Sequence, residues 1–228
     1  MKYIYLVLIF SISCNKNSNK EFLPQVGDIL FQDLDSSPLC EAIETVTPGF
    51  NGGNFSHIGI VTEVGNNNCI NSDYLFEHHI RVTEAIPNFV TTSRLDSFLN
   101  QSLDNNAQPK VIVGRLKKEY SHLIQDAILF LKNKIGFEYD DEFLFNNNKY
   151  YCSELIYEAF AKDSIFELAP MTFIDPKTNK TMEVWEDYYL TKKMEIPEGQ
   201  IGINPGLMSL SKKIEIIHIY GQPHKFKN

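Results

Sequence analysis

The chain has 228 residues, 43% of them hydrophobic and 12% aromatic, which is enough apolar material for one domain to bury its own core and excludes wholesale disorder. Its formal net charge is −8, and it contains no lysine or arginine cluster. Those two features exclude a nucleic-acid-binding face and an electrostatic membrane patch.

Lys2 is followed by an apolar run from Tyr3 to Phe10 and then by Ser11-Ile12-Ser13-Cys14. The run is too short to span a bilayer and has the length of a signal-peptide core. With the polar stretch that follows Cys14, residues 1–14 resemble a bacterial lipoprotein signal, although Ser11 stands where leucine is usual. The resemblance implies lipidation of Cys14, export to the cell envelope, and membrane attachment only through that anchor. Residues 15–22, polar and without periodicity, read as a flexible tether, leaving 23–228 as the folded domain.

Gln25 to Phe31 reads as a turn feeding a first strand, and 39–46 has helical spacing. The loop 48–54 leads into an apolar, β-branched strand over 55–64, carrying His57 near its start. After a turn at 66–68, strands are expected over 69–76, 80–86 and 89–92, a short helix over 94–100, and a strand over 110–116. Ser121 reads as the N-cap of a helix whose apolar face is Leu123, Ile124, Ala127, Ile128, Leu131 and Ile135, ending before Gly136. Residues 153–162 predict a second, central helix buried through Leu155, Ile156, Ala159 and Phe160. Loops follow, then a helix over 182–190, turns at 197–200 and 204–206, and a last strand over 214–220.

Cys152 stands where the extended Tyr150-Tyr151 turns into the central helix. A helix N-terminus favours thiolate over thiol, and the thiolate is the nucleophile. His57 is the natural base, and Glu84 the candidate to orient its imidazole from a neighbouring strand. Oxyanion donors would be the Cys152 N–H and the hydroxyl of Tyr139 or Tyr151. Each residue also has a plainer reading: packing for Cys152 and the tyrosines, a hydrogen-bonded core position for His57, a solvated strand carboxylate for Glu84. No metal is expected, because adjacent strand residues such as His78 and His79 point to opposite faces. His122, His218 and His224 carry no signal for a site. Cys40 and Cys69 are expected as buried free thiols, although their pairing stays open.

The segments Gly27-Asp28-Ile29-Leu30-Phe31, Phe55-Ser56-His57-Ile58-Gly59-Ile60-Val61, Thr83-Glu84-Ala85-Ile86-Pro87 and Tyr150-Tyr151-Cys152-Ser153-Glu154-Leu155 occur in an order that resembles the YiiX/YaeF-like permuted papain-like amidases, of the wider NlpC-type superfamily. Pro170-Met171-Thr172-Phe173, Pro197-Glu198-Gly199 and Asn204-Pro205-Gly206 extend the resemblance. It implies an α+β, circularly permuted papain-like fold, with a small antiparallel sheet packed against helices and the nucleophile at a helix N-terminus. It implies an exported cysteine amidase or peptidase acting through a thioester on Cys152, with His57 as base then acid and no cofactor. A cell-wall peptide is one expected substrate. A lipid hydrolase or acyltransferase, with Phe137, Phe143, Leu144 and Phe145 lining an acyl pocket or simply core, is the alternative. A non-catalytic envelope module is the third reading, against which the intact Cys152 and His57 argue.

Overall fold

The computed structural model describes residues 22–65 and 79–227. The expected signal at 1–14, the turn at 66–68, the strand over 69–76, Cys14, Cys69 and His78 all lie outside the described residues.

Six strands form one antiparallel sheet: β1 (Ile29–Gln32), β2 (His57–Glu63), β3 (Arg81–Ile86), β4 (Phe89–Arg94), β5 (Val111–Leu116) and β6 (Ile214–Ile219). Their spatial order is β6-β5-β1-β2-β3-β4. Side chains alternate across the strands, so β1 sends Ile29 and Phe31 to one face and Leu30 to the other. The first face is covered by α3 (Ile124–Lys132) and α4 (Cys152–Ala159), and the second by α2 (Leu95–Leu99). Leu155 and Ile156, fully buried where α4 meets the sheet, each contribute about 1.5–3 kcal/mol relative to exposure. A third apolar cluster joins α1 (Pro38–Val46) to α5 (Glu183–Lys192) through Ala42, Phe173, Trp185 and Tyr189.

Several expectations shift. Ser121 does not cap α3: a 3₁₀ turn spans Lys118–Leu123, and the Ser121 hydroxyl donates to the Lys118 carbonyl at 2.8 Å. Ile135 falls beyond the end of α3 and is exposed, because its chain turns away at Gly136, whose φ is +88°. Cys40 is half-buried rather than buried, with its sulfur near the Ser36 and Ser37 hydroxyls. The expected turn at 204–206 is a short helix, α6 (Pro205–Ser209). Asn204 caps it by accepting the Leu207 N–H, and Pro205 occupies the first position. Among the described residues no helix is long and apolar enough to cross a membrane.

Candidate active site

Cys152 is the first residue of α4, after an extended Tyr151 with φ −83° and ψ 166°. The opening N–H groups of a helix lack intrahelical partners and carry the positive end of its dipole, and the sulfur sits beside them. Glu154, one turn in, accepts the Tyr151 N–H at 3.4 Å. Burial raises its carboxyl to about 8, with Asp140 adding and the Tyr151 N–H opposing. Glu154 is therefore largely protonated at neutral pH and places little negative charge beside the sulfur.

His57 opens β2, and its Nε2 lies 2.6 Å from Glu84 Oε2, with both residues buried. The register explains the meeting. Gly59 pairs with Glu84 across β2 and β3, so His57, two residues from Gly59, shares the face of Glu84. Gly59 is needed for close approach: a Cβ there would lie 2.6 Å from Val82 Cγ1 and 2.9 Å from Phe98 Cε2. Phe98 of α2 in turn stacks on the imidazole, with centroids 5.5 Å apart and planes at 29°. Cys152 neighbours the same imidazole closely enough to act on its charge, and its sulfur sits 3.9 Å from the Ser56 carbonyl oxygen.

The electrostatics favour an ion pair. Burial pulls the His57 imidazole down, but hydrogen bonds with Cys152 and Glu84, and the negative charge on both, raise it to about 10. Burial pushes Glu84 up, and the His57 hydrogen bond and charge, helped by Ser93 and Gln101, bring it below the usual carboxylate range. An ionised Glu84 accepts the Nε2–H and leaves Nδ1 for the sulfur. Tyr139 and Tyr151 both border the cleft beside Cys152. Burial, then the Cys152 charge, holds the Tyr139 hydroxyl well above its ordinary range. Burial, then Glu154, raises Tyr151 against the pull of the Ile203 N–H. Both hydroxyls remain neutral donors. Tyr151 is buried against Ile203, whereas Tyr139 is half-buried at the cleft wall.

The cleft over Cys152 has no charged residue in its lining. Ile43 and Val46 of α1, Phe143, Met171, Phe173 and Trp185 form its walls. Of the expected acyl-pocket residues only Phe143 lines this cleft, where it packs edge-on against Tyr151 and Trp185; Phe137 and Phe145 pack around Tyr150, Tyr151 and Tyr157. Phe98 and Trp185 were not anticipated as parts of the site. Trp185, the chain's one tryptophan, offered a signal by its bulk.

Among the described residues one group, Asp33, Asp35 and His224, brings potential metal ligands within 4.8 Å of one another. It does not fit a metal centre, because the Lys110 ammonium already bonds both Asp33, at 3.2 Å, and Asp35. His218 stacks on Phe22, with centroids 4.1 Å apart.

This fold, with a cysteine at a helix N-terminus and a histidine and carboxylate upstream on antiparallel strands, is that of a papain-like cysteine amidase or peptidase in permuted chain order. The chain belongs to the family of permuted papain-like amidase enzymes, YaeF/YiiX, C92, whose model matches residues 23–218. Among solved structures, the metalloprotein YiiX from Escherichia coli O157:H7 is similar in fold. The TM-score is 0.68 at 20% identity, covering 89% of this chain and 100% of that one. The curated proteins contain no match.

Proposed function

We propose that the protein is a thiol hydrolase that cleaves an amide carrying an apolar acyl group, with Cys152 as nucleophile, His57 as acid then base, and Glu84 orienting the imidazole. The carrying observation is the buried Glu84–His57–Cys152 relay ending at an uncharged apolar cleft. The Cys152 thiolate attacks the carbonyl, and the imidazolium gives its proton to the leaving amine. The resulting thioester is then hydrolysed by water that His57 deprotonates. The Cys152 N–H, at the first position of α4, and the Tyr139 hydroxyl are the proposed oxyanion donors.

A cell-wall peptide is the second reading, since its amide bonds fall within the reaction class that the amidase family names. Such peptides carry carboxylates and ammonium groups, and the lining of this cleft offers none of them a charged partner. An acyl amide or lipid-like substrate therefore stands first. We further propose that the sequence from Lys2 to Cys14 exports the chain and anchors it through Cys14, which would present the cleft at an envelope surface. Labelling with a radioactive or alkyne fatty acid, lost in Cys14→Ala, tests that anchor.

The deciding experiment incubates the chain from residue 22 onward with N-acyl amides, phospholipids and muropeptides, and follows the acyl thioester by mass spectrometry. Cys152→Ala is expected to abolish turnover at unchanged circular dichroism. Turnover retained in that variant removes the proposed nucleophile; turnover of muropeptides alone removes the acyl reading.

A further inference from the structure

A buried carboxylate outside the relay also holds the segment that delivers His57. Glu44, on α1, is 3% exposed. Its Oε1 accepts the Ser56 hydroxyl at 2.6 Å, and its Oε2 accepts the Asn54 side-chain amide at 3.0 Å. Ser56 is fixed on every side. Its N–H donates to the Gln32 carbonyl at 3.1 Å, and its Oγ accepts the Leu34 N–H at 3.1 Å. Its own carbonyl is the oxygen 3.9 Å from Cys152 Sγ. The residue tied to Glu44 thus touches the thiol and directly precedes the imidazole in the chain. Ile43 and Val46, on the same helix, and Thr47, directly after it, border the cleft.

We propose that Glu44 is a positioning residue for the Cys152–His57 pair, acting through Ser56 and Asn54. The proposal rests on the thiol-hydrolase reading above. An ionised carboxylate accepts from both donors at once, whereas a protonated one turns an oxygen into a donor and leaves one of them without an acceptor. Burial raises the Glu44 carboxyl to about 7; the Ser56 hydrogen bond opposes this, Asp33 adds to it, and Asn54 and Lys110 oppose it. Asp33 at the end of β1 and Lys110 before β5 are the charged groups that face it. Asp35 and His224 are tied to that pair in turn. The clamp is therefore intact above neutrality and released below it, well separated from the His57 titration on the alkaline side.

Glutamine mimics the protonated carboxyl at every pH: its carbonyl accepts from one of the two donors, and its amide group cannot accept from the other. The readout is the pH dependence of Cys152 alkylation by iodoacetamide, resolved by peptide mass spectrometry. Glu44→Ala and Ser56→Ala are each expected to slow alkylation at pH 8 about tenfold, the factor for losing one hydrogen bond to a charged group. Glu44→Gln is expected to react at pH 8 at the slower rate expected of the wild type below neutrality, and to lack the inflection near 7 expected of the wild type. Wild-type rates in a folded Glu44→Ala overturn the proposal, and if that variant fails to fold, an inflection near 7 retained in Glu44→Gln overturns it instead. A wild-type Cys152 no more reactive than free cysteine removes the thiol-hydrolase reading itself, and the role of Glu44 with it.

Discussion

Glu84→Gln isolates the charge behind the imidazole while keeping the side-chain volume. The carboxylate stands 2.6 Å from His57 Nε2, and both side chains are buried, so solvent screens the interaction little. A hydrogen bond to a charged group contributes about 1.5–3 kcal/mol, and a neutral one about 0.5–1.5 kcal/mol, so the substitution withdraws roughly 1–1.5 kcal/mol from the imidazolium. Each pKa unit corresponds to about 1.4 kcal/mol, so His57 should fall from about 10 by about one unit. The imidazole stays protonated at neutral pH in both proteins. The alkylation rate near neutrality should therefore change little, and the substitution is read on the alkaline side, where the imidazolium should lose its proton about one unit earlier.

The sign of the pH dependence follows from the same shifts. The raised pKa of His57 contributes stability that is present below its ordinary value of 6.5 and is lost as pH climbs through about 10. The depressed pKa of Glu84 contributes stability present above its ordinary 4.5 and lost on acidification. The assay is the pH profile of Cys152 alkylation from pH 5 to 11, with the melting temperature measured over the same range. In Glu84→Gln the alkaline limb should move down by about one unit, and acidification should remove less stability than in the wild type. An alkaline limb that stays in place would show that Glu84 does not set the charge state of His57, whatever their separation.

Gly59→Ala puts a Cβ against Val82 and Phe98, which should cost about 1–3 kcal/mol and lower the melting temperature by about 2–4 °C per kcal/mol. An unchanged melting temperature would refute the close approach. Lys110→Met leaves Asp33, fully buried, without its main cation and should cost about 3–5 kcal/mol in a urea titration; a loss below about 1 kcal/mol would mean that His224 and backbone groups suffice.

The fold was legible where the sequence is locally consistent. Helix α4 announces itself through Leu155, Ile156 and Phe160, and strands β2 and β3 through segments rich in Ile, Val and Thr, so Cys152, His57 and Glu84 could be nominated from residue type and order together with the family resemblance. The parity that brings His57 and Glu84 to one face depends on the β2–β3 register, which no local pattern states. Ser121 misled because a hydroxyl one turn before an apolar stripe looks the same whether it caps a helix or closes a 3₁₀ turn. Asn204-Pro205 carried a true N-cap and N1 proline, yet the same pair serves ordinary turns. Glu44 and Phe98 were invisible as site residues. Each reads as an ordinary helix position, and only long-range packing brings them to Ser56 and His57.

The register that places His57 is itself held by charge. At one end of β1, Asp28 meets Arg115 in a two-point contact of 2.6 and 2.8 Å; at the other end, Asp33 meets Lys110 at 3.2 Å. These pairs continue the ladder in which Ile29 faces Gly114 and Gln32 faces Val111, so each stands directly across from its partner. A slip of β1 by one residue would break both pairs and exchange the faces of every β1 side chain. Because Gln32 pairs with His57 on the other edge of β1, a slip that β2 followed would carry the imidazole, together with Glu84 of its β3 partner, out of line with Cys152. Buried ion pairs are weak evidence for net stability, since desolvation offsets much of their attraction. What these two do is remove the alternative alignments, so the rigid partner of β2 arrives in one register only. The geometry of the relay then follows from strand pairing on one side and from the start of α4 on the other, with no contribution from chain order, which is why a permuted sequence can build it.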